Sequence, residues 1–196
     1  KGLLYLLKDD PMLAKPGEFI FRSSDPLKDA SGNTIKIHNR AVAASIDLNE
    51  DGREDLLVGG ISYQLGIQSD PHPGGGVYYM LNQGNDSKGL PVLSPPQPID
   101  LGEEFKPRIN SHIGLQVLDI DHDNEKEIIV SLQEPGWNGR IYHKIKGKIA
   151  FQFTGWVAPV TPINEQILDL DGDGQYEIVR PGDEVGVGDF RKLEKH

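Results

Sequence analysis

Short apolar runs alternate with polar turns along the whole chain, and no segment of useful length shows the period of an amphipathic helix. The clearest runs come in pairs, one on each side of an acidic segment. These pairs are residues 41–46 and 56–58, residues 113–118 and 128–130, and residues 167–168 and 178–179. Short runs rich in Val, Ile and Leu that are bounded by polar clusters are typical of β-strands. The pattern therefore predicts pairs of strands joined by acidic loops.

Further strand signals lie outside these pairs. They are residues 2–7, 17–21, 76–82, 139–145 and 147–153, and a short run near residues 185–190. A polar turn at 83–89 and a Pro-rich run at 91–98 follow the signal at 76–82. Because β-branched and aromatic residues dominate these runs and no helical period is present, the sequence predicts an all-β protein.

Three nine-residue segments share one template of acidic positions. They are residues 47–55 (loop 1), 119–127 (loop 2) and 169–177 (loop 3). Each has oxygen-bearing side chains at positions 1, 3, 5 and 9, and Gly or Asn at position 6. The oxygen-bearing residues are Asp47, Asn49, Asp51 and Asp55, then Asp119, Asp121, Asp123 and Glu127, then Asp169, Asp171, Asp173 and Glu177. Gly and Asn are the residues that most readily adopt the left-handed conformation of a sharp turn.

This spacing predicts a calcium ion in each loop. Ca²⁺ is coordinated by about six to eight oxygen atoms, and alternate residues of a tight loop direct their carboxylates toward one centre. Position 7 adds a backbone carbonyl, from Arg53, Glu125 and Gln175. Carboxylates packed this closely without a cation repel one another. The alternative is a solvated acidic turn without an ion. This alternative is strongest for loop 2, which has Asn124 in place of Gly at position 6.

An EF-hand is excluded by the same spacing. That motif requires a bidentate Glu at position 12 and a helix on each side of the loop. Position 12 is Val58, Val130 and Arg180 in the three loops, and the flanking runs are short and β-branched.

The composition narrows the class of protein. The chain has 196 residues, 30 acidic and 20 basic side chains, a formal net charge of −10 and no cysteine. The lack of cysteine excludes a disulfide framework and a thiolate zinc site. The acidic balance argues against a nucleic-acid partner, and no apolar stretch approaches the ~20 residues that span a membrane. Eleven of the predicted side-chain ligands in the three loops are carboxylates, which is more than the whole net charge, so the predicted metal sites explain most of the acidity.

The three loops and their flanking strands resemble the calcium loops of FG-GAP/VCBS-type β-propeller repeats, with the pattern D-x-[DN]-x-[DN]-G-x-x-[DE]. The resemblance extends more loosely over residues 76–96, which are similar to the second half of such a blade. The Phe-Gly and Gly-Ala-Pro signatures of the integrin version are missing, and Asn124 departs from the usual Gly. The resemblance implies a propeller of four-stranded blades, with strands A to D from the centre outward and a calcium loop joining A to B.

The spacing of the loops divides the chain into blades. Asp47, Asp119 and Asp169 are 72 and 50 residues apart, and a blade needs about 40–50 residues. A single propeller region, residues 1–196, is expected to contain strands C and D of one blade (1–39), two complete blades (40–111 and 112–162) and strands A and B of a fourth (163–196). About three blades do not close a ring of at least about four. The remaining blades are expected in the same parent chain, a second chain or a symmetry mate, and a truncated or cleaved larger protein is preferred.

Blade geometry also separates two faces. Because strands alternate in direction, the calcium loops lie on one face, and the entries to strand A and the B–C loops lie on the other. Propellers generally bind ligands on that second face, around the channel. The candidate ligand-binding residues there are Arg40, Arg108, His112, Tyr63, His72 and Trp137. Aromatic rings stack on sugars, Arg binds carboxylates, and His and Tyr transfer protons. Strand capping and loop anchoring are the alternative roles of these residues.

Two functions follow from this map. The first is a secreted, periplasmic or cell-surface module in which structural calcium supports a face that binds a glycan or a protein. The alternative is a polysaccharide lyase that cleaves an acidic, uronate-containing polymer by β-elimination. In that reaction Arg40 or Arg108 neutralises the uronate carboxylate, and Tyr63, His72 or His112 removes the C5 proton. The sequence leaves open whether the chain is an enzyme.

Overall fold

The computed structural model describes residues 2–9, 21–37, 39–61, 76–103, 105, 112–132, 139–158, 165–169, 172–174, 176–179, 188–189 and 194–195. Within these ranges the chain forms antiparallel β-sheets and no helix, so the all-β prediction is confirmed. None of the sheets closes on itself. In the described part of the chain, no helix is long and apolar enough to cross a bilayer.

The N-terminal strands form two short pairs. They are β1 (Gly2–Leu3) with β4 (Lys36–Ile37), and β2 (Tyr5–Asp9) with β3 (Phe21–Pro26). The chain between β3 and β4 forms a turn in which one carboxylate oxygen of Asp29 accepts hydrogen bonds from the N–H groups of Ser31 and Asn33.

The first large sheet, sheet I, has four strands in the order β10–β7–β6–β5. Its strands are β5 (Asn39–Ile46), β6 (Asp55–Ile61), β7 (Gly76–Met80) and β10 (Gln97–Pro98). Between β7 and β10 the chain forms the hairpin β8 (Asn82–Asn85) and β9 (Pro91–Leu93). Apart from this hairpin, each strand of sheet I pairs with the strand that follows it in the chain.

Two further sheets repeat this arrangement. Sheet II consists of β11 (Ile113–Leu118), β12 (Glu127–Leu132), β13 (Gly139–Lys144) and β14 (Phe151–Ala158), with β18 (Glu194–Lys195) added at the edge. Sheet III consists of β15 (Gln166–Leu168), β16 (Glu177–Val179) and β17 (Gly188–Asp189). The predicted strand at 147–153 is wrong in its boundary, because Gly147 lies in a turn with φ 69° and β14 begins at Phe151.

The inner strands are buried on both faces. Successive side chains of a strand point to opposite sides of its sheet. Leu57 therefore lies in the core between sheets I and II, whereas Val58 packs on the N-terminal residues Leu27 and Ile35. In sheet II, Ile128 packs toward sheet I, and Ile129 packs toward sheet III. The three sheets are thus stacked in chain order, and the inner strands of sheets I and II are covered on both faces.

Sheets I and II approach closely at Gly59. A Cβ atom on this glycine of β6 would lie 2.8 Å from Cγ2 of Ile113 in β11 and 3.2 Å from Cγ2 of Val42 in β5. We expect Gly59→Ala to lower the free energy of unfolding by about 1–3 kcal/mol through overpacking, as measured by urea denaturation. Ala43→Val, at an exposed position of the neighbouring β5, is the control and should change it by less than about 0.5 kcal/mol. Equal effects of the two variants would contradict this packing.

Candidate metal sites

The three acidic loops occupy the same place in their sheets. Loop 1 joins β5 to β6, loop 2 joins β11 to β12, and loop 3 joins β15 to β16. Each loop has positive φ angles at positions 4 and 6. These residues are Glu50 (60°) and Gly52 (82°), His122 (60°) and Asn124 (69°), and Gly172 (76°) and Gly174 (83°). The Gly or Asn at position 6 is thus explained by the left-handed backbone that the turn requires.

The carboxylate at position 1 holds each turn in shape by accepting hydrogen bonds from backbone N–H groups inside the loop. Asp47 accepts from Asp51 (3.1 Å) and Gly52 (2.8 Å), Asp119 from Asp123 (3.0 Å) and Asn124 (2.9 Å), and Asp169 from Gly172 (2.7 Å) and Gly174 (3.1 Å). The position 1 carboxylates therefore point toward the inside of their loops, where an ion could contact them.

The carboxylate at position 9 is buried at the base of the loop. Asp55 is 1% exposed and accepts hydrogen bonds from the N–H groups of Leu48 (2.9 Å) and Asn82 (2.7 Å). Glu127 is 7% exposed and accepts from the N–H of Ile120 (2.9 Å). In both loops this bond ties position 9 to position 2.

Loop 2 brings three carboxylates together. One oxygen each from Asp119, Asp121 and Glu127 lies within 4.8 Å of the others. Burial raises the pKa of Glu127 to about 7, the hydrogen bond from Ile120 opposes the rise, and repulsion by Asp121, Asp123 and Asp119 adds to it. A group that is both buried and surrounded by like charges is stabilised by a cation at the centre of the cluster.

In loop 1, a cationic side chain of the loop itself forms an ion pair with one of the carboxylates. The Arg53 guanidinium forms an ion pair with Asp51 at 2.5 Å, and the Asn49 side-chain amide donates to the same oxygen at 2.9 Å. Arg53 also donates to the carbonyl of Asn82 at 2.9 Å. A metal ion in loop 1 would therefore have to compete with the Arg53 guanidinium for Asp51.

In loop 3 the structure describes Asp169, Asp173 and Glu177, whereas the predicted ligands Asp171 and Gln175 lie outside the described residues. Tyr176 connects this loop to loop 2. Its hydroxyl donates to the backbone carbonyl of Asp119 at 2.8 Å, and its ring stacks on His122 at 5.5 Å. Burial raises the pKa of Tyr176, and the charges of Asp119, Asp169 and Glu127 raise it further, so the hydroxyl keeps the proton that it donates.

The chemistry of the donors limits which ions the loops could hold. In the described residues of the template, the side chains at positions 1, 3, 5 and 9 offer oxygen atoms. Oxygen ligands suit hard cations such as Ca²⁺ and Mg²⁺, whereas zinc and copper sites commonly use nitrogen or sulfur. The donor set therefore fits the calcium prediction, with position 7 of loops 1 and 2 (Arg53 and Glu125) contributing a backbone carbonyl.

Two of the predicted ligand-binding residues, Arg40 and His112, belong to parts of the chain that the structure describes, and both lie at the ends of the strands opposite the acidic loops. Arg40 is near the start of β5, at the end opposite loop 1, and His112 comes directly before β11 and is partly buried. The side chain of Arg40 lies outside the described residues, as do Arg108, Tyr63, His72 and Trp137. The lyase alternative uses the same arginines and Tyr63, so ligand binding or catalysis at this face remains a prediction.

Contacts between neighbouring loops were missed by the sequence reasoning. Lys126 of loop 2 forms a 3.0 Å ion pair with Glu54 of loop 1, and Glu50 accepts hydrogen bonds from Lys144 Nζ (2.5 Å) and Gly147 N (3.0 Å). The bond from Lys144 and then that from Gly147 lower the pKa of Glu50. Glu50 occupies position 4 of the template, and Glu54 and Lys126 occupy position 8, where side chains vary from loop to loop.

Two open clefts border the loops. One, of about 410 Å³, lies between loops 1 and 2, and its lining includes both members of the Lys126–Glu54 and Lys144–Glu50 ion pairs. The other, of about 590 Å³, lies between loop 2 and strands β13 and β14. Its lining includes Glu127, His143 and Trp156, and Trp156 is 37% exposed. Both clefts are at the loop ends of the strands, away from Arg40 and His112.

Comparison with known proteins gives a limited match. No family model matches the chain, and no solved structure matches it. It is 30% identical over 167 residues to phosphatidylinositol-glycan-specific phospholipase D of Mus musculus, and 31% identical over 169 residues to the protein of that name from Rattus norvegicus. Each match covers 70% of this chain but 17% and 18% of the relatives. The chain thus spans less than a fifth of the length of these curated relatives.

Proposed function

We propose that the chain is part of a β-propeller of the FG-GAP/VCBS type in which each acidic loop binds one Ca²⁺. The observation that carries the proposal is the loop 2 cluster, in which Asp119, Asp121 and the buried Glu127 converge. Burying a carboxylate beside two others is costly unless a cation compensates the charge. Loops 1 and 3 share with loop 2 the positive φ angles at positions 4 and 6, so the same role is proposed for them.

The stacking of the sheets supports the propeller. Sheets I and II each contain four strands in meander order, both are covered on both faces, and their acidic loops join equivalent strands. Sheet III is covered by sheet II through Ile167 and Ile178, whereas Leu168 points to its other face and is 39% exposed. We propose that a further blade packs on this outer face, because a propeller blade is covered by a neighbour on each side.

Calcium is preferred to magnesium for a geometric reason. Mg²⁺ demands near-ideal octahedral geometry and keeps several water ligands, whereas Ca²⁺ accepts more oxygen atoms in irregular arrangements. Loop 2 combines side-chain carboxylates with a backbone carbonyl at position 7 within nine residues, which suits the more flexible coordination of Ca²⁺. Its role here is structural, since it compensates the charges of the loop and fixes the first strand of a sheet against the second.

The ligand of this module is proposed to be a glycan, bound at the ends of the strands opposite the calcium loops, in a secreted or cell-surface protein. The names of the two rodent relatives refer to a phosphatidylinositol-glycan substrate, which supports a glycan, although the chain spans less than a fifth of them. We expect Arg40→Ala and His112→Ala to weaken binding to a glycan array at least about tenfold. Unchanged binding in both variants would overturn this location of the site.

Isothermal titration with CaCl₂ after treatment with a chelator tests the metal sites. We expect about three Ca²⁺ per chain, and the loss of about one in each of Asp47→Asn, Asp119→Asn and Asp169→Asn, because each removes the position 1 charge. Asp86→Asn is the matched control, since Asp86 also accepts backbone hydrogen bonds in a turn, from Lys88 and Leu90, but belongs to none of the three loops. No heat of binding in the unmodified chain, or an equal loss in the control, would refute the proposal.

A further inference from the structure

We infer that the backbone of the loop 2 calcium site is held in position by loop 3, with Tyr176 as the positioning residue that couples the two sites. The inference rests on the proposed calcium function. Tyr176 lies at position 8 of loop 3, yet its side chain contacts loop 2 twice. The hydroxyl donates to the carbonyl oxygen of Asp119 at 2.8 Å, and the ring stacks on His122 with 10° between the ring planes.

Both contacts fall on residues that determine the shape of loop 2. Asp119 is the position 1 residue, whose carboxylate accepts hydrogen bonds from Asp123 and Asn124 and belongs to the metal cluster. A hydrogen bond to its carbonyl fixes the backbone that carries this carboxylate. His122 has a φ angle of 60°, which is unfavourable for a residue other than glycine. Stacking on Tyr176 helps to hold this backbone in place before any ion binds.

The position of Tyr176 within loop 3 makes the link reciprocal. It lies between Gln175, whose carbonyl is a predicted ligand, and Glu177, a predicted carboxylate ligand. An ion in loop 3 restrains the residues on both sides of Tyr176 and so restrains Tyr176 itself. When loop 3 is occupied, part of the entropy cost of ordering loop 2 has therefore already been met, and loop 2 binds Ca²⁺ more tightly. By thermodynamic linkage, an ion in loop 2 must raise the calcium affinity of loop 3 by the same factor.

The corresponding contact between loops 1 and 2 is weaker. The position 8 residue of loop 2 is Lys126, which reaches Glu54 of loop 1 through an ion pair. Both side chains are about half exposed, at 46% and 52%, and exposed ion pairs contribute little free energy. Tyr176, in contrast, is partly buried and combines ring stacking with a hydrogen bond to backbone. The coupling is therefore expected between loops 2 and 3 and not between loops 1 and 2.

A double-mutant cycle of calcium affinities tests the inference. In an Asp47→Asn background that silences loop 1, the affinity of loop 2 is measured by calorimetry with loop 3 intact and with loop 3 disabled by Asp173→Asn. We expect Asp173→Asn to weaken loop 2 about fivefold, which is the size of a typical allosteric coupling. When Tyr176→Phe is also present, the same loop 3 change should weaken loop 2 less than about twofold. Tyr176→Phe keeps the ring and removes only the hydroxyl.

Two results would contradict the inference in different ways. Absence of calcium binding in every variant would refute the proposed function and, with it, this inference. Binding with an equal effect of Asp173→Asn in the presence and absence of Tyr176→Phe would overturn the inference alone, since a merely structural Tyr176 lowers both affinities without changing their coupling. Lys126→Gln, which removes the exposed ion pair between loops 1 and 2, is the matched control and should leave the coupling between loops 2 and 3 within about twofold of its original value.

Discussion

Chelation of calcium is expected to lower the melting temperature of the chain by about 10 °C or more at pH 7.5. A ligand at about 1,000 times its dissociation constant stabilises the native state by about 4 kcal/mol per site. In a chain of this size, 1 kcal/mol corresponds to a shift of about 2–4 °C, so one saturated site accounts for about 8–16 °C. Removing the ion also restores the repulsion among the carboxylates of each loop. The most buried of these carboxylates in loops 1 and 2 are the position 9 residues, Asp55 and Glu127.

The measurement is thermal unfolding followed by circular dichroism in millimolar CaCl₂ and in excess EGTA, with MgCl₂ as the ionic control. A variant that combines Asp47→Asn, Asp119→Asn and Asp169→Asn should melt at nearly the same temperature in all three solutions. If the unmodified chain changes by less than about 2 °C between CaCl₂ and EGTA, the ions do not stabilise the fold.

Much of the strand order could be predicted from local pattern. Short apolar runs bounded by polar clusters identified the strands on both sides of each acidic loop. Runs such as 56–58 and 128–130 lack alternation because both faces of β6 and β12 are buried. The boundary at Phe151 was missed, since the apolar run 149–151 crosses from a turn into β14 without a polar break.

The template of the acidic loops could also be predicted, including the left-handed residue at position 6, because these features are local. The contacts between loops could not. Glu50 and Lys144 are 94 residues apart, and their hydrogen bond depends on how sheets I and II are stacked. Apolar periodicity determines which face of a strand is buried but carries no information on which side chains meet at the ends of neighbouring sheets. Tyr176 was missed for the same reason, as its partners Asp119 and His122 belong to the preceding sheet.

Glu127→Gln is expected to have opposite effects on stability with and without calcium. In CaCl₂ the variant loses a buried carboxylate ligand of loop 2 and should unfold more easily than the unmodified chain. In EGTA at pH 8 it should be the more stable of the two. The reason is that Gln has no charge to repel Asp119, Asp121 and Asp123, while its side-chain oxygen can still accept the hydrogen bond from Ile120.

The pH dependence follows from the direction of the pKa shift. The pKa of Glu127 is about 7 in the folded, ion-free protein and 4.5 when unperturbed, so the native state binds the proton more tightly than the unfolded state. The stability that this proton contributes is fully present below pH 4.5 and is lost as the pH rises through 7. The difference corresponds to at most about 3 kcal/mol by pH 8. Urea denaturation in EGTA between pH 5 and pH 8 should show this loss in the unmodified chain and a flatter profile in Glu127→Gln.

Glu125→Gln is the control that separates burial from charge. It removes the same charge from the same loop, but its side chain is exposed, and its predicted contribution to the ion is a backbone carbonyl that the substitution leaves in place. Its stability should therefore differ little from that of the unmodified chain in either solution. If Glu127→Gln were instead the less stable protein in EGTA at pH 8, the buried carboxylate would be stabilising the ion-free fold. The loop 2 cluster would then be a hydrogen-bonded turn and not a site that lacks its cation.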